Sequence, residues 1–190
     1  VYSTYQAVSG AGVKGYDDLQ NGAKAFVNCD GSKSYELEKF PYPIFDNCIP
    51  HIDVFLENGY TKEEQKMIEE TRKIMGDDSI KITATCVRVP VFYSHSESIN
   101  LELKKPYEVE DIKKLLASAP GTVVVDDPAS SQYPLASVAA GTDEVYVGRI
   151  RRDDSVENGL NLWVVADNIR KGAASNAVQI AKLLIDKKRS

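Results

Sequence analysis

Two extended segments in the last third of the chain constrain its fold most strongly. Residues 144–151 and 159–166 are rich in β-branched and aromatic side chains, and a polar turn separates them. Helical spacing of apolar residues precedes them at 108–117 and follows them at 171–187. Long strands interleaved with helices predict an α/β (α+β) fold, in which helices cover one face of a mixed sheet.

The clearest helix is predicted over 61–75. Thr61 and Glu64, three residues apart, have the spacing of a capping box, and an apolar stripe follows them. The C-terminal helix is expected to turn Ala174, Val178, Ala181, Leu184 and Ile185 inward. We further predict helical structure from Ser3 to about Phe26, a loop at 28–50, and strands at 51–56, within 79–92, at 99–103 and at 122–125.

Composition narrows the partners that the chain can have. Hydrophobic residues make up 43% and charged residues 27% of the 190 residues, and the net charge is −5. A general affinity for nucleic acid or an anionic membrane needs a basic surface, which this balance argues against. No apolar run approaches the roughly 20 residues that span a bilayer. Cys29, Cys48 and Cys86 lack a disulfide spacing, so we expect reduced thiols in a cytoplasmic protein.

The segment whose side chains are best suited to binding or catalysis contains Arg88 and His95. An arginine presents a planar fork that suits a carboxylate, and a histidine titrates near neutral pH, as a general acid or base must. Pro90 and a Ser-His-Ser run indicate irregular backbone between the two residues. The same spacing also fits a structural Arg–His pair.

Glu63 and Lys66 form a second candidate site on the capped helix. Residues three apart share one helix face, so both side chains can converge on a small ligand that carries an amine and an anion. An ordinary surface ion pair explains the same spacing. With His51 and His95 as the only histidines and no paired-cysteine spacing, the sequence predicts no metal site.

The segment Ser3–Gly12 combines hydroxyl groups, the amide of Gln6 and closely spaced glycines. Glycine allows the backbone to approach a ligand closely, which makes Ser9 and Gly10 candidates for ligand contact. We do not interpret the segment as a dinucleotide-binding loop, because no strand is predicted in front of it and its glycine spacing is taken to differ from the fingerprint.

Taken together, these segments resemble the aspartate-semialdehyde dehydrogenases, most closely those of the Gram-positive bacterial type. The motifs that carry the resemblance are Ser-Thr-Tyr-Gln-Ala-Val-Ser-Gly-Ala-Gly at 3–12, Glu-Glu-Gln-Lys at 63–66, Cys-Val-Arg-Val-Pro-Val at 86–91, His-Ser-Glu-Ser at 95–98, Val-Gly-Arg-Ile-Arg at 147–151 and Trp-Val-Val-Ala-Asp-Asn-Ile-Arg-Lys-Gly-Ala-Ala at 163–174.

The resemblance implies the C-terminal domain of a glyceraldehyde-3-phosphate dehydrogenase-like fold and an NADPH-dependent reductive dephosphorylation of L-4-aspartyl phosphate to L-aspartate 4-semialdehyde. The product feeds the biosynthesis of lysine, threonine, methionine and diaminopimelate. The roles implied by resemblance are acid/base catalysis for His95, orientation of the intermediate for Gln6, binding of the substrate carboxylate, amine and phosphate for Arg88, Glu63 and Lys66, and cofactor contact for Asn168, Ser9 and Gly10.

The same resemblance implies that residues 1–190 are a substrate-binding and dimerisation domain, which works as a homodimer. The family's nucleophilic cysteine and NADP-binding domain precede this region, and the chain opens at Val1 rather than Met. We therefore expect the isolated chain to be inactive. Two alternatives stay open: a related acyl-phosphate or acyl-CoA reductase, or a non-catalytic binding and dimerisation module.

Overall fold

The computed structural model describes residues 1–28 and 35–189, with only the backbone at Arg189. Cys29 therefore lies outside the described residues. The chain divides into two compact units. The first comprises Val1–Phe92 and Glu97–Asn100, and the second comprises Tyr93–Ser96 and Leu101–Ser190.

The first unit begins with a strand where we predicted helix. Thr4 and Gln6 are buried and Tyr5 between them is exposed, the alternation of a half-buried strand. Pairing with a distant strand thus outweighs the helical spacing of the segment. The elements are β1 (Tyr2–Gln6), a 3₁₀ turn (Val8–Ala11), α1 (Val13–Val27), α2 (Lys62–Met75) and β2 (Ala84–Arg88).

The predicted capping box of α2 is confirmed. The Thr61 hydroxyl accepts a hydrogen bond from the backbone N–H of Glu64, and the Glu64 carboxylate accepts one from the N–H of Thr61. The helix ends at Gly76, whose φ of 64° is left-handed and costs glycine little.

One strand prediction in the first unit is wrong and another is confirmed. No strand forms over 51–56, where Asp53 has a φ of 66° and only an isolated bridge joins Phe55 to Thr61. The strand predicted within 79–92 is β2, which covers only the middle of that segment. The described part of the 28–50 loop contains neither helix nor strand apart from an isolated bridge at Ile49.

The second unit confirms the predictions around the two long strands. The strands β5 (Val145–Asp153) and β6 (Gly159–Ala166) pair antiparallel, with an irregularity between Gly148 and Arg151. The strand predicted at 99–103 is also present but longer, because it begins at His95. The remaining elements are β3 (His95–Glu102), α3 (Val109–Ser118), β4 (Thr122–Val124), a 3₁₀ turn (Pro128–Ser130), α4 (Ala136–Ala139), β5 (Val145–Asp153), β6 (Gly159–Ala166), a π-helical turn (Arg170–Ala174) and α5 (Ser175–Arg189).

The sheet is mixed, as predicted. Its strand order is β2-β1-β3-β6-β5-β4. β1 and β2 run parallel, as do β4 and β5, whereas β5 and β6 are antiparallel.

Each unit has its own apolar cluster. Val8, Leu19, Ile44 and Ile49 form the first, and Val147, Ile150 and Leu160 form the second.

The orientation predicted for the last helix is wrong for this chain. Val178, Leu184 and Ile185 expose 69%, 59% and 52% of their surface. The spacing of apolar residues therefore predicted the helix but not the burial of its apolar side. Within 1–28 and 35–189, no helix is both long and apolar enough to cross a bilayer.

Candidate active site

The parallel pairing of β1 and β2 places Gln6 beside Arg88. The register joins Thr4 to Cys86 and Gln6 to Arg88, at the carboxyl ends of both strands. Side chains at this edge of parallel strands form the binding sites of many α/β proteins. Two residues that are 82 positions apart in sequence thus become neighbours through strand pairing alone.

Arg88 is a buried cation. Its side chain is 6% exposed, and one guanidinium nitrogen donates to the carbonyl oxygen of Ala7 at 2.6 Å. Burial lowers the pKa of Arg88 from its usual value, and the negative charge of Glu63 acts in the opposite direction. Burying a guanidinium is costly unless anions and acceptors surround it, so the site suits a ligand with a carboxylate.

Gln6 is oriented by hydrogen bonds at both ends of its amide. Its Oε1 accepts from the Thr4 hydroxyl at 3.1 Å, and its Nε2 donates to Glu63 Oε1 at 3.2 Å. Because the carbonyl end faces a donor, the amide has one favourable orientation. The other Glu63 oxygen lies 3.5 Å from Lys66 Nζ, so the predicted Glu63–Lys66 pair forms on the surface of α2 and connects to Gln6.

Glu64 attaches the start of α2 to β2. Beyond its part in the capping box, its Oε1 accepts from the backbone N–H of Cys86 at 2.9 Å. This contact fixes the first turn of α2, which carries Glu63. It is made at Cys86, which lies two residues before Arg88 on β2. The sequence identified Glu64 only as a cap.

Cys86 does not have the properties of a nucleophile. Its side chain is fully buried, and this burial raises the pKa of the thiol to about 11. A hydrogen bond with Thr4 lowers the pKa, whereas the charges of Glu63, Glu64 and Glu97 raise it further. Since the thiolate is the reactive form of cysteine, a thiol that keeps its proton is inert near neutral pH.

Ser9 and Gly10 lie in the 3₁₀ turn after β1. We predicted that no strand precedes the glycines and that their spacing differs from the dinucleotide fingerprint, and both predictions were wrong. β1 precedes them, and Gly10, Gly12 and Gly15 have the G-x-G-x-x-G spacing between β1 and α1. However, the N–H groups of Ser9, Gly10 and Gly12 already donate to Phe92, Ala7 and Ser9 carbonyls. They are engaged within the protein rather than offered to a phosphate.

The second unit holds His95 and Asn168. His95 is the first residue of β3, and Asn168 follows the end of β6. Asn168 Oδ1 accepts a hydrogen bond from the backbone N–H of Ser94 at 3.1 Å, directly before His95. The first unit in turn brings together Gln6, Glu63, Lys66 and Arg88.

Several supporting residues escaped the sequence reasoning. Thr4 lies two residues before Gln6 on β1, so strand alternation would have placed both on one face. Asp167 is buried and accepts from the N–H groups of Gly141, Ile169 and Arg170 at 2.7, 2.8 and 3.2 Å. Its position before a helical turn is the available signal, because aspartate commonly caps helices.

The fold and this cluster define a class: an α/β domain that gathers a buried arginine, an amide and an acidic residue at the carboxyl edge of parallel strands. The description of the family whose model matches residues 1–171 is semialdehyde dehydrogenase, dimerisation domain. The chain belongs to this family.

Its relatives include several aspartate-semialdehyde dehydrogenases. The chain is 58% identical to that of Aquifex aeolicus, over 97% of the chain and 54% of the relative, and 54% identical to that of Legionella pneumophila, over 96% and 52%. It thus spans about half the length of these relatives.

Solved structures confirm the fold class. The aspartate semialdehyde dehydrogenase II of Vibrio cholerae, solved in complex with ASA, matches with a TM-score of 0.91 and 47% identity, over 97% of this chain and 54% of that one. A probable aspartate-semialdehyde dehydrogenase from Pseudomonas aeruginosa matches with a TM-score of 0.86 at 29% identity, over 97% and 54%.

Proposed function

We propose that this chain supplies the substrate-binding and dimerisation part of an aspartate-semialdehyde dehydrogenase. The observation that carries the proposal is the Gln6–Glu63–Arg88 cluster, since a carboxylate, an ammonium group and a reacting carbonyl are the features of the substrate that these three side chains match. The identity to named dehydrogenases supports the same assignment.

Arg88 is the proposed partner of the substrate carboxylate, and Glu63 that of its ammonium group. Glu63 also separates this proposal from related acyl-phosphate and acyl-CoA reductases, because an acetylated amine or a thioester offers no ammonium group. Lys66, which is exposed beside Glu63, is the proposed phosphate contact. A lysine suits this role as a mobile point charge.

In the oxidative direction, a thiolate adds to the aldehyde carbon of aspartate semialdehyde. His95 protonates and deprotonates the substrate oxygen, and Gln6 orients the covalent intermediate. Bound NADP would supply the hydride acceptor for this oxidation, and phosphate would then displace the thiolate to give aspartyl phosphate. From the family resemblance, we assign the nucleophile to a cysteine in the part of the relatives that this chain does not span, and Cys86, which keeps its proton, does not replace it.

The residues that we assign to the cofactor are Asn168, Ser9 and Gly10. The amide of Asn168, the hydroxyl of Ser9 and the backbone carbonyl of Gly10 would face the polar nicotinamide end of NADP, and the rest of the cofactor would be held outside this chain. We further propose that the protein acts as a cytoplasmic homodimer, which the description of its family as a dimerisation domain supports. Light scattering of the chain should then give the mass of two copies.

The deciding experiment measures phosphate-dependent NADP reduction with aspartate semialdehyde. It compares this chain with a protein that spans the full length of the relatives. We expect activity only in the longer protein, lost in His95→Ala and retained in His51→Ala. His51 is the matched control because it is the other histidine and stacks on Phe55, with ring centroids 4.4 Å apart.

Each other outcome has a definite meaning. Activity in the short chain would contradict the assignment of the nucleophile to a cysteine outside it. No activity in either protein would favour a non-catalytic binding and dimerisation module. Equal loss in both histidine variants would remove the assignment of His95 as the acid/base.

A further inference from the structure

The residue before His95 has an unusual conformation. Ser94 has a φ of 72°, in the left-handed region that residues with a side chain seldom adopt. Its side chain is 1% exposed, and its hydroxyl oxygen has no hydrogen-bond partner among the described residues. Neither its own backbone preference nor its hydroxyl group therefore explains why Ser94 is held there. Such strain persists only where the surroundings impose it.

The side chain of Asn168 contacts the backbone of Ser94. Its side-chain oxygen accepts the Ser94 N–H across 74 residues of sequence. Asn168 is itself fixed, because the neighbouring Asp167 is buried and accepts from three backbone N–H groups. The turn after β6 is thus a rigid base from which one side chain reaches the start of β3.

We infer that Asn168 is a positioning residue for His95. The anchored N–H of Ser94 lies one residue before His95, so the torsions that Asn168 stabilises set the direction in which the imidazole leaves the backbone. The inference rests on the proposed role of His95 in acid/base catalysis. It adds a task for Asn168 beyond the nicotinamide contact that we propose for it.

The two tasks use different atoms of the Asn168 amide. Anchoring Ser94 uses the carbonyl oxygen, which accepts, whereas a hydrogen bond to a carboxamide oxygen would use the NH₂ group, which donates. Asn168→Ala removes both. Asn168→Asp keeps an acceptor for Ser94 and removes the donor. The matched control is Asn158→Ala, since Asn158 lies before the first residue of β6 and Asn168 lies beyond its last.

The first measurement is NMR of the 190-residue chain, in which the two histidines give separate imidazole signals. In Asn168→Ala we expect the Ser94 amide to exchange with solvent at least about tenfold faster, because it has lost its acceptor. The His95 ring signals should shift and broaden while those of His51 stay unchanged. Asn168→Asp should restore slow exchange, and Asn158→Ala should change nothing. If Asn168→Ala folds too poorly, Asn168→Ser gives the same comparison.

The second measurement is steady-state kinetics of the longer protein. We expect kcat to fall about tenfold in Asn168→Ala and to recover largely in Asn168→Asp, whereas the KM for NADP should rise in both variants, because both lose the donor. Unchanged His95 signals in Asn168→Ala would overturn the inference. So would an Asn168→Asp variant whose kcat is as low as that of Asn168→Ala. If the NMR result holds but the wild-type longer protein is inactive, the anchor stands and the proposed function fails.

Discussion

Glu64 in the first unit and Asp167 in the second are buried carboxylates that hold the residues around them in different ways. Glu64 joins two regular elements, the first turn of α2 and the middle of β2. Asp167 organises irregular backbone, a turn that leads into a π-helical segment with a kink at Ala173. Each carboxylate is satisfied by backbone N–H donors rather than by a cation.

The two carboxylates differ in whether water could replace them as the acceptor for their N–H donors. The N–H groups of Thr61 and Cys86 belong to buried residues, so water cannot replace Glu64. Ile169 and Arg170 are exposed, and water can reach their N–H groups. A carboxylate between regular elements should therefore contribute more to stability, whereas one in a turn should contribute more to the direction of the side chains beside it.

The largest effect is expected for Glu64→Ala. It leaves two buried donors without an acceptor, which should lower the free energy of unfolding by about 2–5 kcal/mol. Glu70→Ala, on the exposed side of the same helix, is the control and should cost less than about 0.5 kcal/mol. Urea denaturation of the three proteins measures this. Equal midpoints for Glu64→Ala and Glu70→Ala would contradict the bridging role of Glu64.

Asp167→Ala should have the next largest effect and lower the free energy of unfolding by about 1–3 kcal/mol. The loss is smaller because water can bond some of the N–H groups that lose their acceptor. Asp154→Ala, an exposed change in the β5–β6 turn, should be nearly neutral. The imidazole NMR signals test the comparison directly. Asp167→Ala should shift those of His95, and Glu64→Ala should not. If both substitutions shift His95 equally, the division between stabilising and directing carboxylates is wrong.

This division also explains how much the sequence could predict. The Thr61–Glu64 box was visible because its members are three residues apart in a helix. The contact from Glu64 to Cys86 spans 22 residues and depends on strand packing, so no local pattern indicates it. The β5–β6 pair was predictable from alternation, whereas β1 was taken for helix because its pairing with β2 lies far along the chain.

The candidate site divides in the same way. Arg88, Glu63 and Lys66 stood out by residue type and spacing, although their roles came from a family resemblance. The sequence does not indicate the unusual conformation of Ser94, since a left-handed serine follows from its surroundings and not from its side chain. The prediction that the apolar side chains of α5 are buried failed for a related reason, because the spacing of apolar residues does not specify which surface covers them.

Cys86, whose N–H binds Glu64, should make the first unit sensitive to alkaline pH. Its folded-state pKa of about 11 lies above the ordinary value of 9.0, so the folded protein holds the proton more tightly. This contribution to stability is complete below pH 9 and is lost as the pH rises towards 11. Urea denaturation at several pH values should show a shallower decline in Cys86→Ala than in the wild type.

The same protonation should appear in thiol reactivity. In a Cys29→Ser background, iodoacetamide at pH 8 should modify the exposed Cys48 much faster than Cys86, because Cys86 is buried and its raised pKa leaves little of it as thiolate. Comparable rates for the two cysteines would show that Cys86 is accessible and ionised, and would reopen its role as a nucleophile.

The smallest effect is expected for Thr4→Val, which keeps the shape of a buried side chain and removes only the hydroxyl that orients Gln6. The same hydroxyl also bonds the Cys86 thiol, and the loss of both hydrogen bonds should cost about 1–2 kcal/mol in stability. In the longer protein, kcat should fall by about threefold to tenfold, since the Gln6 amide can then rotate away from Glu63. Thr4→Ser retains a hydroxyl and should recover most of the activity. A Thr4→Val protein with full activity would mean that Glu63 alone orients Gln6. The orientation of the Gln6 amide would then depend on α2, which carries Glu63, and not on β1, which carries Thr4.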